Sequence, residues 1–121
     1  MTTRTRQIEK IVIAALEDVK GKEIEVIDTK KLTPMFESIV VASGDSNRQV
    51  RSLARSVTDK AREAGLEILS TEGEEAGEWV LVDLGEVVVH IMQPAIRNYY
   101  NLEELWGGKG PARVREAAAS A

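Results

Sequence analysis

Residues 38–42 constrain the fold most, because they form a predicted strand with no polar face. The segment reads SIVVA, and a nearly all-apolar strand is typical of a sheet that is covered on both sides. Helices that can cover such a sheet are predicted at residues 4–20 and 46–65, where apolar side chains recur at helical spacing. The sequence therefore predicts helices packed on a sheet with a buried strand inside it.

The remaining patterns complete an order αββαβββα. Four more strands are predicted at residues 24–28, 66–70, 79–83 and 86–92. A tight turn at Leu84 and Gly85 joins the last two strands into a hairpin, and Pro94 begins a short third helix. Ser46 is the predicted N-cap of the second helix, with Gln49 completing a capping box. The predicted fold class is α/β (α+β), with a single mixed five-stranded sheet and flanking helices.

Length and composition are those of one folded domain. The 121 residues are 43% apolar and 30% charged, which excludes a disordered chain. We predict a domain at residues 1–106 and a flexible tail at 107–121, where Gly and then Ala dominate. There is no cysteine, which excludes disulfides and thiolate zinc sites. No signal core and no apolar run of about 20 residues is present, so we expect a cytoplasmic protein without a membrane partner.

Charge is distributed unevenly along the chain. Residues 63–93 hold eight acidic side chains and no lysine or arginine, which favours a basic protein as partner over a nucleic-acid backbone. The second helix instead carries a basic cluster, formed by Arg48, Arg51, Arg55, Lys60 and Arg62. A solvated helix face accounts for this cluster. An RNA-binding module that uses its arginines is the alternative, and it would show steep salt dependence.

The residues that carry chemistry in enzymes are sparse. Gly44, Asp45 and Ser46 precede a helix and could cradle a phosphate, but a helix cap explains them equally well. A nucleotidyltransferase would need two or three neighbouring carboxylates to hold magnesium, and Asp83 stands alone on its strand. His90 is the one histidine and is interpreted as a hydrogen-bonded residue at a sheet face. We therefore expect no catalytic residues, no metal and no cofactor.

Trp79 has two interpretations. Strand alternation puts it on one face with Leu81 and Asp83, while Val80, Val82 and Leu84 point to the other. A strand tryptophan commonly belongs to the core. A tryptophan beside charges at a strand edge is also the composition of an interface hot spot.

Several stretches of the chain carry a family resemblance. They are Asp28, residues 39–44 (IVVASG) with Ser46 and Arg48, residues 72–73 (EG), residues 79–90 (WVLVDLGEVVVH), and Arg97 with Tyr100, Leu102, Glu103, Leu105 and Trp106. On these residues the chain resembles the ribosomal silencing factor family, also called RsfS or Iojap. The resemblance covers residues 6–106.

The resemblance implies a non-enzymatic translation factor with a nucleotidyltransferase-like fold that lacks the catalytic carboxylates. Such a factor binds a basic ribosomal protein on the large subunit and obstructs joining of the small subunit. Some members form homodimers, and no sequence-specific contact with nucleic acid is expected. The contact surface implied for this chain consists of Trp79, Leu81, Asp83, Leu84, Glu86, Glu74 and Glu75. The alternative is a nucleotide-binding enzyme of the nucleotidyltransferase fold.

Overall fold

A computed structural model describes residues 3–102 and residue 104. In these residues the helices are α1 (Thr3–Asp18), α2 (Asn47–Glu63) and α3 (Pro94–Tyr100). The strands are β1 (Lys22–Asp28), β2 (Ser38–Ser43), β3 (Ser70–Glu72), β4 (Trp79–Asp83) and β5 (Val87–Met92). The predicted order αββαβββα is confirmed. The predicted tail at 107–121 and its boundary at residue 106 lie outside the described residues.

The five strands form one mixed sheet in the order β1-β2-β5-β4-β3. The strands β2 and β5 pair in parallel, and every other neighbouring pair is antiparallel. All residues of β2 and β5 are buried, as expected for central strands that are covered on both sides. The predicted mixed five-stranded sheet with flanking helices is therefore confirmed.

The two faces of the sheet are covered to different extents. The helices α1 and α2 pack on one side, which we call the helix face, where Val40, Val80, Val82 and Val89 are each 0% exposed. The other side, which we call the open face, carries Ile39, Val41, Leu81, His90 and Met92. Its apolar cluster is covered in part by Phe36, Ile96 and Leu102. The open face is thus the side of the sheet on which residues of β4 stay partly accessible to solvent.

The capping of α2 connects this helix to the end of α1. The Ser46 Oγ accepts from the Gln49 N–H at 3.0 Å, and the Gln49 Oε1 accepts from the Asp45 N–H at 2.7 Å. The Gln49 amide also donates to the carbonyls of Val19 and Lys20, each at 3.2 Å. The predicted N-cap is confirmed, with Asp45 as the backbone donor to Gln49.

The predicted third strand at residues 66–70 is wrong, because the strand occupies Ser70–Glu72. Ser70 pairs with Asp83, which is the last residue of β4. Residues before Ser70 therefore lie beyond the end of the neighbouring strand, where no ladder can continue. Leu66 and Ile68 instead pack in part against the core of the helix face.

None of the helices described in residues 3–102 and 104 is long and apolar enough to cross a membrane.

Candidate binding surface

The strand β4 places alternate side chains on the two faces of the sheet. Trp79, Leu81 and Asp83 are half-buried, whereas Val80 and Val82 are fully buried. The predicted alternation of this strand is confirmed, and the structure makes the side of Val80 and Val82 the core face. Its accessible residues belong to the open face.

Trp79 is held from two sides. Its Nε1–H donates to the Nδ1 of His90 at 3.0 Å, and its ring lies 4.9 Å from the ring of Tyr100 at an interplanar angle of 49°. The indole also packs against the apolar cluster of the open face. Trp79 is thus partly a core residue and partly accessible to solvent, which confirms the core interpretation in part and leaves the hot-spot interpretation a prediction. Its hydrogen-bond donor is already used inside the protein, and the free part of the ring offers apolar area.

The tyrosines at the end of α3 extend this exposed aromatic surface. Tyr99 is 81% exposed and Tyr100 is 51% exposed. Their rings meet edge to face, with centroids 4.9 Å apart. We call Trp79, Tyr99 and Tyr100 the aromatic patch. Rigid aromatic rings that are exposed together are typical of an interaction site, because they bring large contact area at small entropic cost.

An acidic loop borders the aromatic patch. Gly73 has φ +88, and a Cβ at this position would lie 2.1 Å from the carbonyl oxygen of Trp79. The absence of a side chain thus lets the loop lie directly against the backbone of Trp79. Glu72, Glu75 and Glu78 are exposed on and beside this loop. The patch therefore has a negatively charged border.

Arg97, the cation within α3, does not neutralise this border. Its side chain is buried at 5% exposure, and its Nη1 donates to the Ser43 Oγ at 2.8 Å. Its Nη2 lies 3.9 Å from the Glu25 Oε2. The positive charge of Arg97 is therefore compensated by Glu25 below the surface. It does not offset the carboxylates that border the patch.

His90 orients Trp79 and stays neutral. The imidazole is 9% exposed, and burial lowers the pKa of His90 from 6.5 to about 4. Because the Nδ1 accepts from the indole, the proton of the neutral ring belongs on Nε2. The predicted hydrogen-bonded histidine at a sheet face is confirmed.

Several of the predicted contact residues lie away from the aromatic patch. Leu84 is 6% exposed and belongs to the core of the helix face, so its side chain has no accessible surface to offer. Glu86 forms an ion pair with Arg4 of α1 at 3.0 Å, at the hairpin end of β4. Glu74 lines a surface depression together with Arg55 of α2.

Two further predicted contact residues, Asp83 and Glu75, keep surface that is accessible to solvent. Asp83 is half-buried on the open face, and its Oδ1 accepts from the Gly85 N–H at 2.9 Å. This carboxylate therefore stabilises the hairpin turn. Glu75 is exposed in the acidic loop. Of the predicted set, Trp79, Leu81 and Asp83 lie on the open face, and Glu75 is exposed in the acidic loop between β3 and β4.

Tyr99 was missed by the sequence interpretation, which named no contact residue in the third helix. A signal was present in the sequence. Consecutive residues of a helix point about 100° apart, so two adjacent large aromatic side chains on one short helix favour exposure of one of them.

The turn before α2 is used for packing and capping. A Cβ at Gly44 would lie 3.1 Å from the side chains of Val50 and Leu53. The Gly44 N–H donates to the Met92 carbonyl at 3.1 Å, and the Asp45 carboxylate pairs with Lys22. These groups are occupied by contacts within the protein, which supports the helix-cap interpretation. Within residues 3–102 and 104, no group of three or more His, Asp or Glu side chains could hold a metal ion.

Comparison with known proteins agrees with this architecture. A family model described as "Ribosomal silencing factor during starvation" matches residues 2–120. A ribosomal silencing factor RsfS from Chromobacterium violaceum is 58% identical over 113 residues, which cover 93% of each chain. The RsfS of Bacillus subtilis is 39% identical over 102 residues, covering 84% of this chain and 86% of that protein. A crystal structure of a protein from Chromobacterium violaceum superposes with a TM-score of 0.84 at 58% identity, covering 88% of both chains.

The fold and these matches define a mixed α/β domain of a kind that is already known from crystal structures. The chain belongs to the ribosomal silencing factor (RsfS) family. Its relatives are named for a regulatory role rather than for a catalysed reaction. The family match extends past residue 106, where the resemblance read from the sequence ended.

Proposed function

We propose that this protein represses translation by binding a basic protein of the large ribosomal subunit and blocking entry of the small subunit. The observation that carries the proposal is the aromatic patch with its acidic border. Tyr99 meets the ring of Tyr100 edge to face but is 81% exposed, so packing within the domain does not account for an aromatic ring there. A binding partner gives this ring a role.

Charge and aromatic area would contribute differently to such a complex. The acidic border steers the domain towards a cationic protein and away from exposed phosphates, which raises the association rate. Trp79, Tyr99 and Tyr100 supply the desolvated centre, where loss of one aromatic anchor costs on the order of 2 kcal/mol. Affinity would therefore depend mostly on the aromatic patch, and orientation mostly on the charge.

Repression by steric obstruction requires no catalysed reaction and no cofactor. A domain of this length is roughly 35 Å across, so a bound copy is a solid obstacle on the surface that the small subunit must approach. We place the activity in the cytoplasm, because the relatives are bacterial proteins named for silencing of the ribosome.

The test is cosedimentation with purified large subunits, using Tyr99→Ala against Met35→Ala. Met35 is 79% exposed and lies in the loop between β1 and β2, so it is a matched exposed apolar residue outside the aromatic patch. Both side chains are largely in solvent, and each substitution should change the free energy of unfolding by less than about 0.5 kcal/mol. We expect Tyr99→Ala to weaken binding about tenfold or more and Met35→Ala to leave it unchanged.

The functional readout is joining of the two subunits on a sucrose gradient. The unmodified protein and Met35→Ala should increase the free-subunit peaks, and Tyr99→Ala should not. Equal binding and equal inhibition by both variants would show that the aromatic patch is not the contact surface.

We also propose that free copies pair through this patch, in which case Tyr99→Ala shifts the sedimentation velocity towards that of a monomer.

A further inference from the structure

The outward face of α2 carries a row of exposed arginines. We call Arg48, Arg51, Arg55 and Arg62 the arginine row, and all of them are exposed. No acidic residue occurs between residues 46 and 58. The charge of this segment is thus opposite to that of residues 63–93, which have eight acidic side chains and no lysine or arginine.

The spacing of the row is that of one helix face. Its members are separated by three, four and seven residues, so they project from the same side of the helix. At 1.5 Å per residue the row is about 20 Å long. Arg48, Arg51 and Arg55, together with Ser52, line a surface depression of about 440 Å³.

The arginines of the row are exposed, and one guanidinium nitrogen, the Arg51 Nη1, lies beside Gly77 of the acidic loop. Among the described residues, no ion pair joins a carboxylate to Arg48, Arg51 or Arg55. Arg62 lies 3.8 Å from Asp59, with both side chains more than half exposed, and such a pair contributes less than about 1 kcal/mol.

The other cation of α2 has a different role. The Lys60 Nζ lies 3.0 Å from the Asp18 Oδ2 of α1, and this hydrogen bond raises the pKa of Lys60. Lys60 therefore connects the two helices and is not part of the row. The acidic groups that face the row are Asp59 and Glu74, which line a second depression beside Arg55 and Arg62.

We propose that the arginine row binds the phosphate backbone of duplex RNA without reading its sequence. Each guanidinium presents a planar fork of donors that matches phosphate oxygens. A straight row about 20 Å long suits an extended polyanion better than a single small anion. The helix face is opposite to the open face, so this site is separate from the aromatic patch and goes beyond the proposed function.

The composition of the row favours RNA over an acidic protein. Among residues 3–102 and 104, arginine and serine alone line the larger depression, and the large exposed apolar side chains, Leu32, Met35, Leu69, Tyr99 and Tyr100, all lie outside α2. A protein partner would need a desolvated apolar anchor, which the row does not provide. No aromatic ring in the described part of the chain lines either depression, so the depressions offer single-stranded bases no ring there to stack on.

The remaining surface charge restricts how RNA can approach. The net charge of −4 repels phosphates from most directions. RNA would therefore contact the helix face alone, and the affinity should be moderate, in the micromolar range of sequence-independent binding.

The test is fluorescence anisotropy of the full chain with a labelled RNA duplex of arbitrary sequence, between 50 and 200 mM salt. The variant combines Arg48→Gln, Arg51→Gln and Arg55→Gln, which keeps good helix formers at exposed positions. We expect affinity at the low salt to fall about tenfold or more. We also expect the slope of log Kobs against log salt to become shallower by about 2 to 3.

The matched control removes three cations elsewhere, through Lys10→Gln, Lys30→Gln and Lys31→Gln. These lysines are exposed on α1 and on the loop between β1 and β2. The control changes the net charge equally, so it should lose little affinity and keep the steep salt slope. Circular dichroism of both variants verifies that the helices are intact.

Two outcomes overturn the proposal even if the unmodified chain binds RNA. One is an equal loss of RNA affinity in the arginine and lysine variants, since only net charge would then matter. The other is tighter, arginine-dependent binding to a labelled polyglutamate peptide than to RNA. Tyr99→Ala should bind RNA normally. Failure of RNA binding alongside intact binding to large subunits would thus remove this proposal and leave the proposed function standing.

Discussion

The aromatic patch and the arginine row are both exposed, and charged residues border the first and form the second. They differ in how their side chains are held in place. Trp79 reaches the surface from the sheet and is fixed by His90 and Tyr100. Arg48 and Arg55 project from an exposed helix face into solvent. The shape of the patch depends on tertiary packing, whereas the row needs little more than an intact helix.

This difference has an energetic consequence. Residues behind the patch are desolvated, so changes there affect the folded state as well as the binding surface. Residues of the row stay hydrated in both the folded and the unfolded chain, so changes there affect binding with little effect on stability. Variants on the two sides should therefore separate stability from recognition.

The largest expected effect concerns His90 and pH. The pKa is about 4 in the folded protein and 6.5 in its ordinary state. Between these values the unfolded chain binds more protons than the folded one, so stability falls as pH decreases through this window. The full loss is about 3 kcal/mol below pH 4, and about 2 kcal/mol of it falls between pH 6.5 and 5.

The measurement is urea unfolding at pH 7, 6 and 5 for the unmodified protein and for His90→Gln. Glutamine can accept the indole N–H but does not gain a charge in acid. Carboxylates titrate in both proteins, so the difference isolates His90. Two stability curves that run parallel across these pH values would mean that the buried imidazole does not titrate as described.

The next effect compares one aromatic residue with one arginine. Trp79→Ala removes a half-buried ring that packs on the open face, and we expect a loss of about 2 kcal/mol in the free energy of unfolding. Arg51→Gln at an exposed helix position should cost less than about 0.5 kcal/mol. Thermal and urea unfolding measure both. A large loss in the free energy of unfolding for Arg51→Gln, together with a small loss for Trp79→Ala, would contradict the inferred difference between the two regions.

The smallest effect concerns the acidic border. Glu72→Gln with Glu78→Gln should slow association with large subunits up to about tenfold at low salt while changing dissociation little. Glu17→Gln with Glu23→Gln, two exposed residues on α1 and β1, removes the same charge elsewhere. Stopped-flow association at two salt concentrations distinguishes the pairs. If both double variants slow association with large subunits equally, the location of the carboxylates in the acidic border has no effect on steering.

Much of the fold was readable from local patterns. The helical stripes, the all-apolar strand at 38–42, the Ser46 cap and the hairpin at Leu84 and Gly85 depend on neighbours within a few residues. Such signals are present in the chain itself. The family resemblance rested on those same stretches, and the family match confirmed it.

Other features could not be read in this way. The position of β3 depends on where β4 ends. Leu84 is part of the predicted contact surface, yet in the structure it packs in the core of the helix face. Alternation assigns residues to two faces of a strand but does not say which face other elements will cover.

The sequence by itself determined the elements, their order and the segregation of acidic and basic segments, because periodicity and charge are local properties of a chain. The tertiary structure decided that β2 pairs in parallel with β5 and that α3 leaves part of one face open. It also decided that Trp79 meets His90 and Tyr100 there. These contacts join residues that are distant in sequence or separated by turns, and their free energy exists only once the sheet has formed.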